Sequence, residues 1–232
     1  LFDKSTDGTT VSIEIIDLNK EEYELTITAD SIIIKAGDSA GAFYAIQTLK
    51  QIFKEEHVPC LHIADKPDFE YRGFYHDVSR GKIPTVETIK NLIDNLAYYK
   101  INSLQLYVEH TIELEEYKDI IEHTGYLTKQ EIREIDAYCK SNFIDFIPSL
   151  ATFGHLYELL QQDKYKHLRI FKDFVPYSNF WYGRMIHHTV SPLVNEGFEL
   201  VKSMIDQYSS NFESDIFNIC CDETFDLKKL DN

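Results

Sequence analysis

Residues 84–109 read PTVETIKNLIDNLAYYKINSLQLYVE, and within them the period of the apolar positions changes once. Val86, Ile89, Leu92, Ile93 and Leu96 fall at the i, i+3, i+4 spacing of a helix face, and Pro84 and Thr85 are residues that open helices. Beyond Lys100 the spacing shortens, and Leu104, Leu106 and Val108 mark a strand over Ser103–Glu109. The same exchange recurs on either side. Upstream, Tyr71–Val78 is a strand candidate. Downstream, Thr128 and Glu131 have the spacing of a capping box, ahead of a helix that turns Ile132, Ile135 and Cys139 inward. Phe143–Ile147 is a third strand, and Ser191-Pro192 opens a helix carrying Val194, Phe198, Val201 and Ile205. Ile216–Cys221, apolar except for Asn218, is a fourth strand. Repeated βα units with nearly continuous apolar strands predict an α/β fold, a parallel sheet covered by helices.

Length limits this reading. A closed (βα)8 barrel takes about 250 residues, whereas the alternating pattern occupies only positions 69–232 of this chain. Two architectures fit: an open four-stranded α/β domain, or the first half of a TIM barrel whose remaining units lie elsewhere. The second leaves an unpaired sheet edge, which predicts pairing with a second copy of the chain or aggregation.

Residues 1–68 have a different rhythm and form a small α/β domain. Val11, Ile13 and Ile15, then Tyr23, Leu25 and Ile27, then Ile32 and Ile34 alternate with polar neighbours, as half-buried strands do, with a hairpin turn at Ala29-Asp30. From Ala40 the period becomes helical through Ala42, Ile46, Leu49 and Phe53, with Asp38 and Ser39 available as caps.

Composition removes several classes of function. Lys+Arg 23 against Asp+Glu 39 leaves a formal charge of −16, which repels phosphate backbones and anionic headgroups, so neither nucleic acid nor a membrane surface is an expected partner. No apolar run approaches the roughly 18 residues of a spanning helix, which predicts a soluble chain. Leu1 is not an initiator Met and no basic-then-apolar leader follows it, so the expectation is a start inside a longer gene product. The 4 cysteines are too few for a disulfide scaffold. Cys60 and Cys139 read as small buried side chains, no CxxC is present, and a reducing, cytoplasmic compartment is expected. There is no GxGxxG, Walker or GxSxG motif, which removes nucleotide and serine-hydrolase readings.

The strongest chemical signal is Cys220-Cys221-Asp222-Glu223-Thr224. Two acids directly after an apolar strand stand at the carboxyl end, where α/β sheets and barrels build their sites. Successive residues of an extended backbone point to opposite sides, so Asp222 and Glu223 can take different roles, and burial with mutual repulsion would let one keep its proton as a general acid. The plainer reading is a solvated helix start, where acids favour the dipole. Arg72, on the first strand of the alternating part, needs an anion or several oxygens; sugar hydroxyls would serve, as would a structural ion pair with Asp77 or another acid. Glu109 and His110 end the second strand, and Gly154-His155 follow the third. The adjacent His187 and His188 lack metal-ligand spacing, and no metal or cofactor is expected. Phe180, Trp181 and Tyr182 read as loop packing rather than a sugar platform.

Three runs, AGDSAGAFYAIQTLKQIF (36–53), VPCLHIADKPDFEYRGFYHDVSR (58–80) and CCDETFDL (220–227), resemble the family 20 glycoside hydrolases, the β-N-acetylhexosaminidases. The resemblance covers most of the chain and implies the family's small α/β domain followed by the first four strands of its catalytic barrel. It implies retaining hydrolysis of a terminal β-linked 2-acetamido sugar on a glycan, without a cofactor. By the same resemblance Glu223 matches the general acid and Asp222 the residue that orients the acetamido group. Arg72 matches an arginine that holds ring hydroxyls, and His155 a histidine near the acid; Glu109 and His110 stand at the second-strand substrate position. One departure is plain: the family's second strand ends in paired Asp residues, where this chain has Glu109-His110. Two other classes compete. One is a non-catalytic module that binds amino sugars; the other is a metal-dependent amidohydrolase using His155, His187 and Asp222.

Overall fold

The computed structural model describes residue 8 and residues 10–54, 58–171 and 180–229. It separates into two compact units: residues 1–73, 91–103 and 141–144 form the first, and residues 74–90, 104–140 and 145–232 the second.

The first unit carries a four-stranded sheet in the order β1-β3-β2-β4, from β1 (Thr10–Ile15), β2 (Tyr23–Ile27), β3 (Ser31–Ala36) and β4 (Leu61–Asp65). β2 runs antiparallel to both neighbours, and β1 lies parallel to β3. The hairpin at Ala29-Asp30 forms as expected, closed by Thr28 N–H on the Ser31 carbonyl at 2.8 Å. Helix α1 (Ser39–Ile52) starts where the sequence places its cap: the Asp38 carboxylate accepts from Gly41 N–H at 2.7 Å. Gly41 is required there, because a Cβ would stand 2.5 Å from the Glu22 carbonyl. Tyr23, Leu25, Ile34, Tyr44 and Leu49 fill the core between sheet and helix.

Three expectations fail in this unit. β1 is exposed along its whole length, with Val11, Ile13 and Ile15 at 42%, 51% and 56% exposure, since α1 packs over β2 and β3 while β1 is an edge strand bonded to β3 alone. Phe53 is the C-cap of α1 rather than a buried position, and Cys60 is exposed.

The second unit is organised on a three-stranded sheet, β5 (Gly73–Asp77), β6 (Ser103–Tyr107) and β7 (Asp145–Ile147), in that order. α2 (Val86–Tyr98), which belongs to this unit up to residue 90 and to the first unit from residue 91, connects the first two strands and buries Ile89, Ile93 and Leu96. The one-turn α3 (Lys118–Ile121) precedes α4 (Lys129–Ser141), which buries Ile132, Ile135 and Cys139 behind the expected capping box. Glu131 accepts from Thr128 N–H at 2.8 Å, and the Thr128 hydroxyl accepts from Glu131 N–H at 3.1 Å. After β7 come α5 (Tyr157–Leu160), α6 (Phe180–Met185) and α7 (Asn195–Ser209).

The fourth strand does not form as a strand. Ile216–Cys221 makes a single parallel bridge, Asn218 with Ser149, two residues past β7. Two features end the ladder: the Asn218 side chain bonds Gln105 and the Cys220 N–H, and Cys220 takes a left-handed φ of 42°. α7 also starts later than Pro192, and its buried stripe is Gly197, Leu200, Met204 and Tyr208, one position off the anticipated Val201-Ile205 face. Gly197 decides this register, since a Cβ there would meet the Val190 side chain at 2.7 Å. Trp181 and Tyr182 lie on α6 and are exposed rather than packed in a loop; the side chain of Phe180 lies outside the described residues.

Candidate active site

The carboxyl ends of the second unit's strands converge on an open cavity of about 570 Å³, lined by Tyr75, Arg80, Tyr107, Cys221, Asp222 and Glu223 among others. Its buried anchor is Glu109, 1% exposed, two residues past β6. One carboxylate oxygen, Oε1, receives Arg80 Nη2 at 2.8 Å and the Tyr107 hydroxyl at 3.1 Å, and faces His155 Nδ1 at 3.3 Å. The other, Oε2, receives Arg184 Nη2 at 2.8 Å. A buried carboxylate survives only when satisfied in this way. Burial alone would push Glu109 up; His155, Arg184 and Arg80 together hold its carboxyl below the usual range.

His155 is 4% exposed and links this anchor to the acids. Its Nε2 lies 3.4 Å from Asp222 Oδ2 and 3.2 Å from Glu223 Oε2. Burial pushes the imidazole down, but the Glu109 carboxylate and the charge of Asp222 outweigh it, and the ring holds its proton above the ordinary histidine range. Where the resemblance implies paired Asp residues at the second strand's end, the single carboxylate of Glu109 faces His155.

Asp222 and Glu223 reach the same imidazole nitrogen. They do not diverge to opposite sides, because Glu223 has a φ of 53° and is not extended. Nor are they buried: their side chains are 57% and 47% exposed. Gly154 makes this convergence possible, since a Cβ there would stand 2.6 Å from the Asp222 carbonyl.

The remaining expected residues are placed elsewhere. Arg72 belongs to the first unit, where its guanidinium bonds Glu21 at 2.8 Å, the Phe69 carbonyl at 2.7 Å and the Lys100 carbonyl at 2.8 Å. It is not among the residues that line the cavity, and the ion-pair reading of Arg72 is the one realised, with Glu21 rather than Asp77. His110 is half-buried, depressed by that burial, and likewise outside the cavity lining. The arginine at the cavity is Arg80, which sequence reasoning missed. It is held by Asp77 Oδ2 at 2.6 Å and Glu109, lies over the Tyr107 ring, and keeps half its side chain in water. Asp77, the last residue of β5, and Arg80 three positions on were the available signal. His188, passed over as an unlikely ligand, is 1% exposed and bonds both His155 and Glu223.

Among the described residues, the side chains grouped closely enough to share a metal ion are His155, Asp222 and Glu223, with ligand atoms within 4.8 Å of one another. His187 is not one of them, so the amidohydrolase set of His155, His187 and Asp222 is not assembled. The chemistry available is proton handling: a buried carboxylate, a proton-retaining imidazole, two partly solvated acids at one of its nitrogens, and a guanidinium facing the same cavity.

Residues 4–66 match the model for glycosyl hydrolase family 20, domain 2, and residues 69–229 match the model for the catalytic domain of that family. A beta-hexosaminidase of Akkermansia muciniphila is 32% identical over 165 residues, which cover 61% of this chain and 33% of that protein. A beta-hexosaminidase of Porphyromonas gingivalis is 28% identical over 236 residues, 90% of this chain and 30% of that protein. Among solved structures, a beta-N-acetylhexosaminidase superposes with a TM-score of 0.77 at 26% identity, over 92% of this chain and 50% of that one. The Flavobacterium johnsoniae chitobiase superposes with a TM-score of 0.77 at 26% identity, over 91% of this chain and 33% of that one. The chain thus spans about a third of the length of the curated relatives it matches. With one model matched across the first part and its companion across the larger remainder, the chain belongs to glycosyl hydrolase family 20.

Proposed function

We propose that the chain is part of an exo-β-N-acetylhexosaminidase that removes terminal, non-reducing β-linked GlcNAc or GalNAc from glycans. The observation that carries this reading is the convergence of Asp222 and Glu223 on His155 within the cavity, in a chain of this family. Glu223 protonates the departing glycosidic oxygen. The substrate's acetamido oxygen, oriented by Asp222, attacks C1 as the C1–O bond breaks and gives an oxazolinium-like intermediate; its advantage is proximity. Glu223 then takes a proton from the water that opens this ring, and the configuration at C1 is retained. His155, fixed by Glu109, supports the acids electrostatically. The grip on ring hydroxyls falls to Arg80, whose guanidinium faces the cavity, rather than to Arg72.

This reading divides the chain into a small α/β domain, 1–68, and the first four units of a (βα)8 barrel, 69–232, with the far wall of the site supplied by later units. The chain alone is then a poor enzyme, and its open edge either pairs with another copy or drives aggregation. The test is hydrolysis by the full gene product of an aryl 2-acetamido-2-deoxy-β-glucoside beside the plain β-glucoside. Cleavage of the first alone is expected, and equal rates on both would overturn the substrate-assisted mechanism.

A further inference from the structure

We propose that His188 is a positioning residue that clamps the two rim turns carrying His155 and Glu223. The catalytic consequence rests on the reading just given; the clamp itself rests on geometry.

His188 follows α6 and is 1% exposed. Its Nδ1 accepts the His155 backbone N–H at 3.1 Å, and its Nε2 lies 3.0 Å from the Glu223 carbonyl oxygen. A carbonyl can only accept, so Nε2 carries the hydrogen; Nδ1, facing an N–H, carries none. The partners thus select one tautomer of a neutral ring. A second proton would set N–H against N–H, and burial together with the nearby His155 pushes the ring's pKa down to about 4. The neighbouring backbone reinforces the contact: the His188 carbonyl accepts from Leu156 N–H at 2.9 Å, and the Phe153 carbonyl from Val190 N–H at 3.1 Å.

Both clamped residues are strained. His155 has a φ of 58° and Glu223 a φ of 53°, conformations that cost a side-chain-bearing residue about 1–2 kcal/mol each. Such backbones persist only where the surroundings hold them. One imidazole bonds both, on the turns whose side chains meet at 3.2 Å. Without it each turn is free to relax toward an ordinary conformation, and the contact between His155 and the acids opens.

A packing histidine would be replaceable by any side chain of its volume; a clamp would not. His188→Leu removes both bonds, His188→Asn keeps an acceptor for the His155 N–H, and His188→Gln keeps a donor for the Glu223 carbonyl. In the full gene product, 15N NMR of the wild type should show His188 as the neutral Nε2–H tautomer at pH 6. The His155 amide should exchange about tenfold faster in His188→Leu than in the wild type and be restored in His188→Asn. In the full gene product, His188→Leu should lower kcat about a hundredfold with KM nearly unchanged, and the Asn and Gln variants should each recover part of it. An Nδ1–H or charged ring in the wild type overturns the proposal whether or not any variant folds. So does a His188→Leu protein with unaltered His155 exchange, or losses that are equal in all three variants and track Tm. If the full gene product proves inactive on 2-acetamido glycosides, the proposed reaction falls, while the tautomer and exchange measurements still decide the clamp.

Discussion

Replacing Glu109 by Gln is the sharpest perturbation of the site, because shape is kept and charge is lost. The two carboxylate oxygens have different duties: Oε1 faces Arg80, Tyr107 and His155, and Oε2 faces Arg184. An amide has one acceptor, so its NH2 must point at a donor in either orientation. Facing Arg184 conflicts with one partner and facing Oε1's set conflicts with three, so Arg184 loses its bond. Breaking a buried pair costs about 3–5 kcal/mol. Arg80 is 53% exposed and Arg184 22%, so water recovers part of that, and about 2–3 kcal/mol is expected. Urea unfolding of the second unit at pH 7 measures it. The pH dependence has a definite sign. Glu109's carboxyl is held below its ordinary value, so its stabilisation is present above that ordinary value and is lost as pH falls through the depressed one. His155 is raised, so its contribution is full below the ordinary histidine value and is lost as pH rises through the raised one. Glu109→Gln should flatten both limbs and return the His155 titration, followed by NMR, toward that of an ordinary histidine. A variant within about 0.5 kcal/mol of wild type with an unmoved His155 titration would refute this account of the anchor.

Arg72→Met should destabilise the first unit by about 3 kcal/mol, by leaving the buried Glu21 charge with only the Asn102 amide as side-chain partner, with KM unchanged in the full gene product; Arg80→Met should raise KM, and the reverse pattern would return the substrate role to Arg72. Gly154→Ala forces a Cβ to 2.6 Å from the Asp222 carbonyl, so kcat should drop about a hundredfold in a folded protein, checked by circular dichroism beside steady-state kinetics. Glu223→Gln should lower kcat on alkyl glycosides about 10²–10⁴-fold more than on activated aryl glycosides, which need no protonation; equal losses would remove Glu223 as the acid.

The local signals in the sequence translated directly into structure. The Asp38 cap, the Thr128 capping box and the hairpin at Ala29-Asp30 each depend on residues within a few positions, and each forms. What failed was long-range. Alternation in Val11, Ile13 and Ile15 specifies a strand face but cannot say whether a helix covers it, and α1 packs over β2 and β3. Arg72, just ahead of β5, finds Glu21, 51 positions away, so its partner was invisible from the local pattern. The acids after Cys221 were legible as a site because of their place behind an apolar run. Their convergence was not, because it depends on backbone conformations that no side-chain pattern announces.

Those conformations explain why the fourth strand is absent where the pattern called for one. Among the described residues of the second unit, the non-glycine residues with left-handed backbone are His155, Cys220 and Glu223; the last two line the cavity, and the His155 ring meets the Glu223 carboxylate. Together they cost about 3–6 kcal/mol, a substantial fraction of the roughly 5–15 kcal/mol by which a domain is stable. An extended backbone through Cys220 would lengthen the ladder beyond the single Ser149–Asn218 bridge. It would also send Asp222 and Glu223 to opposite sides, with at most one of them on the cavity. The left-handed turn at Glu223 brings its carboxylate back beside that of Asp222, and the turn at His155 delivers the imidazole to both. Each turn has its own restraint: Asn218 Oδ1 bonds the Cys220 N–H, the Tyr75 and Ser149 hydroxyls bond the Cys220 thiol, and His188 holds the other two. A straight strand here would give a better sheet and no convergent pair of acids.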